Sequence, residues 1–210
     1  FSENEKFSIK LRAKGDRPIH RMSINKMSYK IDIRGDKRLR GIEEFSMQLP
    51  LARNYTYEPM AARSLRYEGL ISPKNFYVRL FINGKYAGIR HIEEAFSKEL
   101  IERSNKRYGP VFSLNEDEGA VYEENSFDLA DRKFWDNSGS DLPSKALFIL
   151  RESQTNPEIF NKYFDTKKWA KYMAMLDTLF MYHGMMPKSV KYYLNPVTGL
   201  IEPVFYDGHL

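Results

Sequence analysis

Alternating hydrophobic and polar positions predict several β-strands in the first half of the chain. Phe7–Leu11, Tyr29–Ile33 and Phe45–Leu49 each place an apolar side chain at every second position, which is the pattern of a half-buried strand. The clearest hairpin covers residues 76–94, where two such strands flank an Asn-Gly pair at 83–84 that readily supplies the positive φ angles of a tight turn. These segments predict an antiparallel sheet built with hairpins.

The second half of the chain changes to helical periodicity. Its strongest helix begins after Asp165, a favourable N-cap residue. The apolar face predicted for this helix contains Trp169, Tyr172, Met173, Leu176, Leu179, Phe180 and His183. A final hairpin is predicted at 190–206, and it ends in Asp207-Gly208.

This order of elements predicts an α+β fold, with an N-terminal antiparallel sheet, a helical part and a C-terminal hairpin. We expect a single domain over residues 1–210. Within it, 1–115 would be mainly sheet, 116–143 an acidic loop or insertion, and 144–210 helices with the hairpin. The abrupt start and end of the sequence predict a fragment of a longer chain.

Composition removes several classes of function. The chain has no cysteine, which excludes disulfides, zinc–thiolate sites, iron–sulfur clusters and thiol nucleophiles. No apolar run approaches the roughly 18 residues of a membrane span. The common nucleotide-binding, zinc-protease and serine-hydrolase motifs are missing from the sequence. No targeting signal is visible, so the sequence leaves both the cell surface and the cytoplasm open.

Charge is distributed unevenly along the chain. Residues 6–40 contain 12 Lys/Arg against 3 Asp/Glu, whereas 116–131 contain seven acidic residues and no basic one. A basic surface attracts phosphate on nucleotides, nucleic acids or lipids. Aromatic residues on basic strands can also stack on bases. The acidic second half and the absence of a nucleic-acid-binding motif argue against a nucleic-acid partner.

Phosphate chemistry needs cations for the phosphates and carboxylates for a divalent metal. Asp207 follows a hydrophobic strand, Glu94 ends the strand of the long hairpin, and His183 lies on the predicted apolar helix face. From the residues alone, Asp207 also fits a turn, Glu94 an ordinary surface position and His183 a core position. These alternatives stay open at this level.

Five sequence stretches, in this order, resemble the CotH kinase family of atypical protein kinases. The stretches are Leu11–Asp16, Lys26–Ile33, Glu68–Leu70, Leu80–Glu94 and Tyr192–Gly208. The resemblance covers nearly the whole chain and implies a kinase-like fold that binds ATP with Mg²⁺ or Mn²⁺. It also implies transfer of phosphate to a serine or threonine of a protein partner.

The resemblance assigns roles to individual residues. Asp207 matches the metal-binding aspartate and is expected to be catalytic, while Glu94 matches the glutamate that pairs with a phosphate-holding lysine. The nucleotide-binding cations would come from the N-terminal basic segment, namely Lys14, Arg17, Lys26 and Lys30.

Three positions depart from the family pattern. The catalytic-loop aspartate is expected near His183-Gly184, where the chain has no carboxylate, which makes His183 the candidate general base. A metal-binding asparagine is replaced by Ser189, and a lysine by Ser113. Two functions therefore remain: an active serine kinase, or a degenerate pseudokinase that acts as a binding or structural module of a bacterial surface assembly.

Overall fold

The structure is a computed structural model, and its backbone contacts divide the chain into two compact units. It describes residues 5–15, 18–20, 26–114, 127–186 and 189–208. Unit 1 comprises Phe1–Met60 and Pro73–Ala95, and unit 2 comprises Ala61–Ser72 and Phe96–Leu210. Arg17 lies outside the described residues, as does the segment 115–126.

Unit 1 is built on a five-stranded antiparallel sheet with the order β1-β2-β3-β5-β4. Its strands are β1 (Ile9–Ala13), β2 (Tyr29–Ile33), β3 (Glu44–Gln48), β4 (Asn75–Ile82) and β5 (Lys85–Glu94). A 3-10 helix at Pro50–Arg53 follows β3 and precedes helix α1 (Tyr57–Tyr67). The strands predicted from alternation are thus confirmed, with ends displaced by one or two residues.

The alternation of side chains divides this sheet into an apolar and a polar face. The apolar face carries the core of the unit, which includes Ile31, Ile33, Phe45, Met47 and Ile92. The β4–β5 hairpin turns at residues 83–84 with φ values of 50° and 77°, as the Asn-Gly pair predicts.

Unit 2 contains a four-stranded antiparallel sheet with the order β7-β6-β8-β9, together with helices. Its strands are β6 (Val111–Leu114), β7 (Phe127–Leu129), β8 (Lys191–Leu194) and β9 (Ile201–Val204). Its helices are α2 (Lys98–Arg103), α3 (Arg132–Ser138), α4 (Leu142–Glu152), α5 (Pro157–Tyr163) and α6 (Thr166–Thr178).

Helix α6 supplies much of the core of unit 2. Tyr172 and Leu176 are fully buried there and belong to the same cluster as Leu150 and Ile201. Trp169 is also buried, and its indole N–H donates to the carbonyl of Ile201 at 3.0 Å. This hydrogen bond satisfies the polar atom of a large side chain that the core would otherwise leave unpaired.

The predicted apolar face of α6 is too long. The helix ends at Thr178, where Phe180 adopts a left-handed conformation with φ 51°. The N–H of Met181 donates to the carbonyl of Leu176, and that of Phe180 to Asp177, which is the Schellman pattern. His183 consequently lies in a separate 3-10 helix, Tyr182–Met185, and not on the face of α6.

Of the segment 116–143, predicted as an acidic loop or insertion, residues 127–143 form regular secondary structure and not a loop. This part holds β7, α3 and the start of α4. The helix α3 forms because Trp135 is buried and stacks on Tyr108 with ring centroids 5.0 Å apart. Little in the sequence indicated this anchor, since α3 is only seven residues long and Trp135 is its one buried residue.

The α+β class is confirmed by the six α-helices and two antiparallel sheets of the described residues. None of the helices described here combines the length and the apolar composition needed to cross a bilayer.

Removing the N-cap of α6 tests the local basis of this helix. Asp165 accepts a hydrogen bond from the backbone N–H of Lys168 at 3.2 Å and also pairs with its ammonium group. We expect Asp165→Ala to lower the free energy of unfolding by about 1 kcal/mol, measured by urea denaturation. Asp141→Ala is the control, because Asp141 occupies the N-cap of α4 without a capping hydrogen bond. An equal loss in both variants would contradict the capping argument.

Candidate functional site

The polar face of the unit 1 sheet gathers a row of chemically active side chains. In register across the strands, Arg12 lies opposite Lys30, Lys30 opposite Ser46, and Ser46 opposite Glu93. Lys14 follows directly after β1 and donates to Ser46 Oγ at 2.7 Å. Strand pairing therefore brings residues that are far apart in sequence onto one face.

Glu93 is the centre of this row. Its side chain is buried, and Arg53 Nε donates to Oε1 at 3.2 Å while Nη2 donates to Oε2 at 3.1 Å. Gln48 adds a hydrogen bond to Oε2 at 3.1 Å, and the ammonium of Lys14 lies 3.7 Å from the same oxygen. Burial alone would raise the pKa of Glu93, but the charges of Arg53 and Lys14 outweigh burial and hold that pKa well below its usual value.

A second buried carboxylate, that of Glu58, balances the charge of Arg53. Arg53 ends the 3-10 helix before α1 and approaches Glu58 of α1, with Nε and Oε1 3.4 Å apart. Both side chains are about 95% or more buried. Lys14, Arg53, Glu58 and Glu93 therefore form a charge-balanced group, which is the condition for ionised side chains to remain inside a protein.

His91 lies beside this group and is neutral. Its Nε2 is 2.8 Å from Asn75 Oδ1, an oxygen that can only accept, so Nε2 carries the proton. Nδ1 faces Gln48 Nε2 at 3.4 Å. Burial lowers the pKa of His91 to about 4, with the cations Arg53 and Lys14 acting in the same direction against the carboxylate of Glu93.

The predicted cofactor-binding residues of unit 1 occupy different environments. Lys14 joins the buried group, whereas Lys26 is exposed. Lys30 is half exposed and forms an ion pair with Glu44. Glu94 points to the opposite side of β5 from Glu93 and accepts a hydrogen bond from the backbone N–H of Lys74 at 2.8 Å. The carboxylate that the structure places beside Lys14 is therefore Glu93, one residue before the one predicted.

In unit 2, the predicted residues His183, Ser189 and Asp207 come together. His183 Nδ1 lies 2.7 Å from the backbone carbonyl of Asp207, 3.0 Å from Ser189 Oγ and 3.5 Å from Asp207 Oδ2. Because a carbonyl only accepts, Nδ1 carries a proton, so the lone pair that this ring can use as a base lies on Nε2. The serine and the aspartate meet the same ring nitrogen, so these residues do not form a serine-hydrolase triad, which uses both nitrogens.

Two glycines allow this close approach. A Cβ on Gly208 would lie 2.7 Å from the ring of Phe205, and a Cβ on Gly184 would lie 3.2 Å from the Cα of Gly208. Asp207, which directly precedes Gly208, has a left-handed backbone with φ 53°. This conformation directs the chain after β9 back towards the 3-10 helix that carries His183.

The metal-binding prediction rests on Asp207 and Ser189. Ser189 is fully buried, and its hydroxyl is engaged with His183. No group of three or more His, Cys, Asp or Glu residues suited to a metal occurs in the part of the chain that the structure describes. Asp207 supplies a hard carboxylate oxygen, the ligand type that Mg²⁺ prefers, and Mg²⁺ is commonly held by one or two carboxylates together with substrate phosphates.

Sequence reasoning missed Arg53, Glu58, Gln48 and His91. Of these, His91 carried a usable signal, because strand alternation places it on the same face as Glu93. Comparison of the sequence with models of protein families and with curated protein sequences finds no significant match.

The stability of the protein should depend on His91 below neutral pH. The folded-state pKa of His91, about 4, lies below the unfolded value of 6.5, so the unfolded chain binds the extra proton between these two values. Stability from this residue is complete above pH 6.5 and falls by roughly 3 kcal/mol as the pH drops to 4. Urea unfolding of the wild type and His91→Gln at several pH values measures this. A slope over this interval that is the same in both proteins would contradict the assignment.

Paired substitutions distinguish the two adjacent glutamates. Glu93→Gln removes the charge that Arg53 and Lys14 share, and we expect a loss of about 3–5 kcal/mol in the free energy of unfolding at pH 7. Glu94→Gln retains an acceptor oxygen for the N–H of Lys74 and should cost about 1 kcal/mol. Chemical denaturation of the two variants measures the difference. A larger loss in Glu94→Gln would show that the wrong carboxylate has been placed at the centre.

Proposed function

We propose that this chain is a nucleotide-dependent phosphotransferase domain similar to the CotH kinases. It would transfer the γ-phosphoryl group of ATP, with Mg²⁺ or Mn²⁺, to a serine or threonine hydroxyl of a protein partner. The observation that carries the proposal is the ion pair between Lys14 and the buried Glu93 on the polar face of an antiparallel sheet. Protein kinases also pair a phosphate-binding lysine with a glutamate, although their glutamate lies on a helix and not on the sheet.

The geometry of the group favours Lys14 as the phosphate ligand. Its side chain is 23% exposed, whereas those of Glu93 and Arg53 are 4% and 5% exposed. Arg53 contacts both oxygens of Glu93, so the carboxylate keeps a close cation when the ammonium of Lys14 turns to a phosphate. Lysine binds phosphate as a mobile point charge, which suits this role.

His183 supports the transfer step as a general base. The proton on Nδ1 is fixed by the carbonyl of Asp207, so Nε2 is the nitrogen that can take the proton of an acceptor hydroxyl. In the proposed reaction, that hydroxyl oxygen forms a bond to the γ-phosphorus as the bond to the β-phosphate oxygen breaks, and ADP leaves. Asp207 would supply a carboxylate oxygen for the divalent metal, and a bound metal would neutralise phosphate charge.

ATP binding and transfer can be tested separately. We expect the wild type to melt at a higher temperature with millimolar Mg-ATP or Mn-ATP, and mass spectrometry to detect phosphoserine on the protein itself or on a generic acceptor. Lys14→Met should remove the melting shift, while Lys85→Met, which changes an exposed lysine of the same unit, should keep it. Asp207→Ala and His183→Asn should each reduce transfer by at least about 100-fold.

Three outcomes separate the functions. Transfer lost in Asp207→Ala would support the kinase. Nucleotide-dependent stabilisation without transfer in the wild type would identify a pseudokinase, the second candidate, which the absence of a carboxylate at His183 favours. If the wild type shows no stabilisation by nucleotide and no phosphate transfer with either metal, the proposal of nucleotide binding is overturned.

A further inference from the structure

Strand β1 presents an open edge on the unit 1 sheet. It is the first strand in the sheet order and pairs with β2 through the register from Ile9 opposite Ile33 to Ala13 opposite Tyr29. All five of its residues are exposed. Among the residues that the structure describes, no strand pairs with its outer side, and such an edge is a template for another extended chain.

The hydrogen-bond pattern identifies the backbone groups at this edge. The N–H of Arg34 donates to the carbonyl of Ser8 at 2.8 Å, and the N–H of Lys14 donates to the carbonyl of Ser28 at 2.9 Å. In an antiparallel pair, the residues that bond to the partner alternate with residues that face away. The N–H and C=O groups of Ile9, Leu11 and Ala13 therefore point outward from the sheet.

The side chains of β1 specify the chemistry of a partner. Lys10 and Arg12 lie on one face of the strand and are exposed. Ile9 and Leu11 lie on the other face and are 48% and 50% exposed, although they are apolar. An added strand that matches both faces carries acidic residues at every second position and apolar residues between them.

We propose that β1 binds an extended, alternating acidic and apolar segment of a partner protein by antiparallel strand addition. The partner residues opposite Lys10 and Arg12 would occupy the non-hydrogen-bonded positions, where opposing side chains are closest. The surrounding segment 6–40 has 12 Lys/Arg against 3 Asp/Glu, so its field also attracts an acidic chain. This surface is independent of the proposed kinase activity.

The same charges argue against a second copy of this chain as the occupant. Two β1 strands paired antiparallel about Leu11 would place Lys10 of each copy opposite Arg12 of the other. Like charges directly opposite each other destabilise a strand pair. An acidic partner removes this repulsion and replaces it with two attractive pairs.

Three short peptides test the proposal with the whole chain. The probe is Thr-Glu-Val-Glu-Val-Glu-Thr; the second peptide has lysine in place of glutamate, and the third has the composition of the probe with its glutamates contiguous. We expect calorimetric titration to detect binding of the alternating acidic peptide at least about tenfold tighter than binding of either other peptide.

Two variants locate the binding at β1. Leu11→Pro removes an N–H that points outward and leaves the hydrogen bonds to β2 intact, so the variant should fold and lose the peptide. The double variant Lys10→Glu with Arg12→Glu changes only exposed side chains, and it should prefer the lysine peptide by about tenfold.

Several results would overturn the proposal. Equal binding of the alternating and the contiguous acidic peptides would show that charge alone causes the binding, without strand addition. Unchanged peptide preference in the double variant would place the binding elsewhere. A concentration-dependent dimer that Leu11→Pro abolishes, with no peptide binding in the wild type, would make a second copy the occupant.

Discussion

A carboxylate can be buried in an ionised state only when cations and hydrogen-bond donors replace the water it loses. Glu93 meets this condition through Arg53, Lys14 and Gln48, and the arrangement of unit 1 around its polar face follows from it. The 3-10 helix before α1 must deliver Arg53 to the sheet, and Glu58 must then balance the guanidinium. Removing Arg53 would leave the two buried carboxylates of Glu58 and Glu93 without their closest cation.

The same group links stability to the proposed function. Glu93 is held by Arg53 through both of its oxygens, so the longer contact to Lys14 can be exchanged for a phosphate without exposing the carboxylate. His91 stays neutral beside these charges because burial disfavours its protonated form. Protonation of this ring would add a third cation to a balanced group, which is why acid should destabilise the unit.

In unit 2, the candidate site depends on how His183 is positioned outside a regular α-helix. The Schellman ending of α6 releases the chain after Leu179, and the 3-10 helix then presents His183 to the backbone of Asp207. The contact depends on Gly184 and Gly208, since a Cβ at either position would meet neighbouring atoms. The hydrogen bond to Asp207 fixes the tautomer, and this makes Nε2 the basic nitrogen in the proposed reaction.

The sequence by itself determined the strands of unit 1, the hairpin at Asn83-Gly84 and the N-cap of α6, because alternation, turn geometry and capping are local properties. It also brought His183, Ser189 and Asp207 forward as candidates. Only the tertiary structure decided that Glu93, and not Glu94, lies beside Lys14, since a shift of one residue along a strand changes the face of the sheet. It likewise decided that Arg53 and Glu58 join the group, because the pairing of distant charges depends on how strands and helices pack and leaves no periodic signal along the chain.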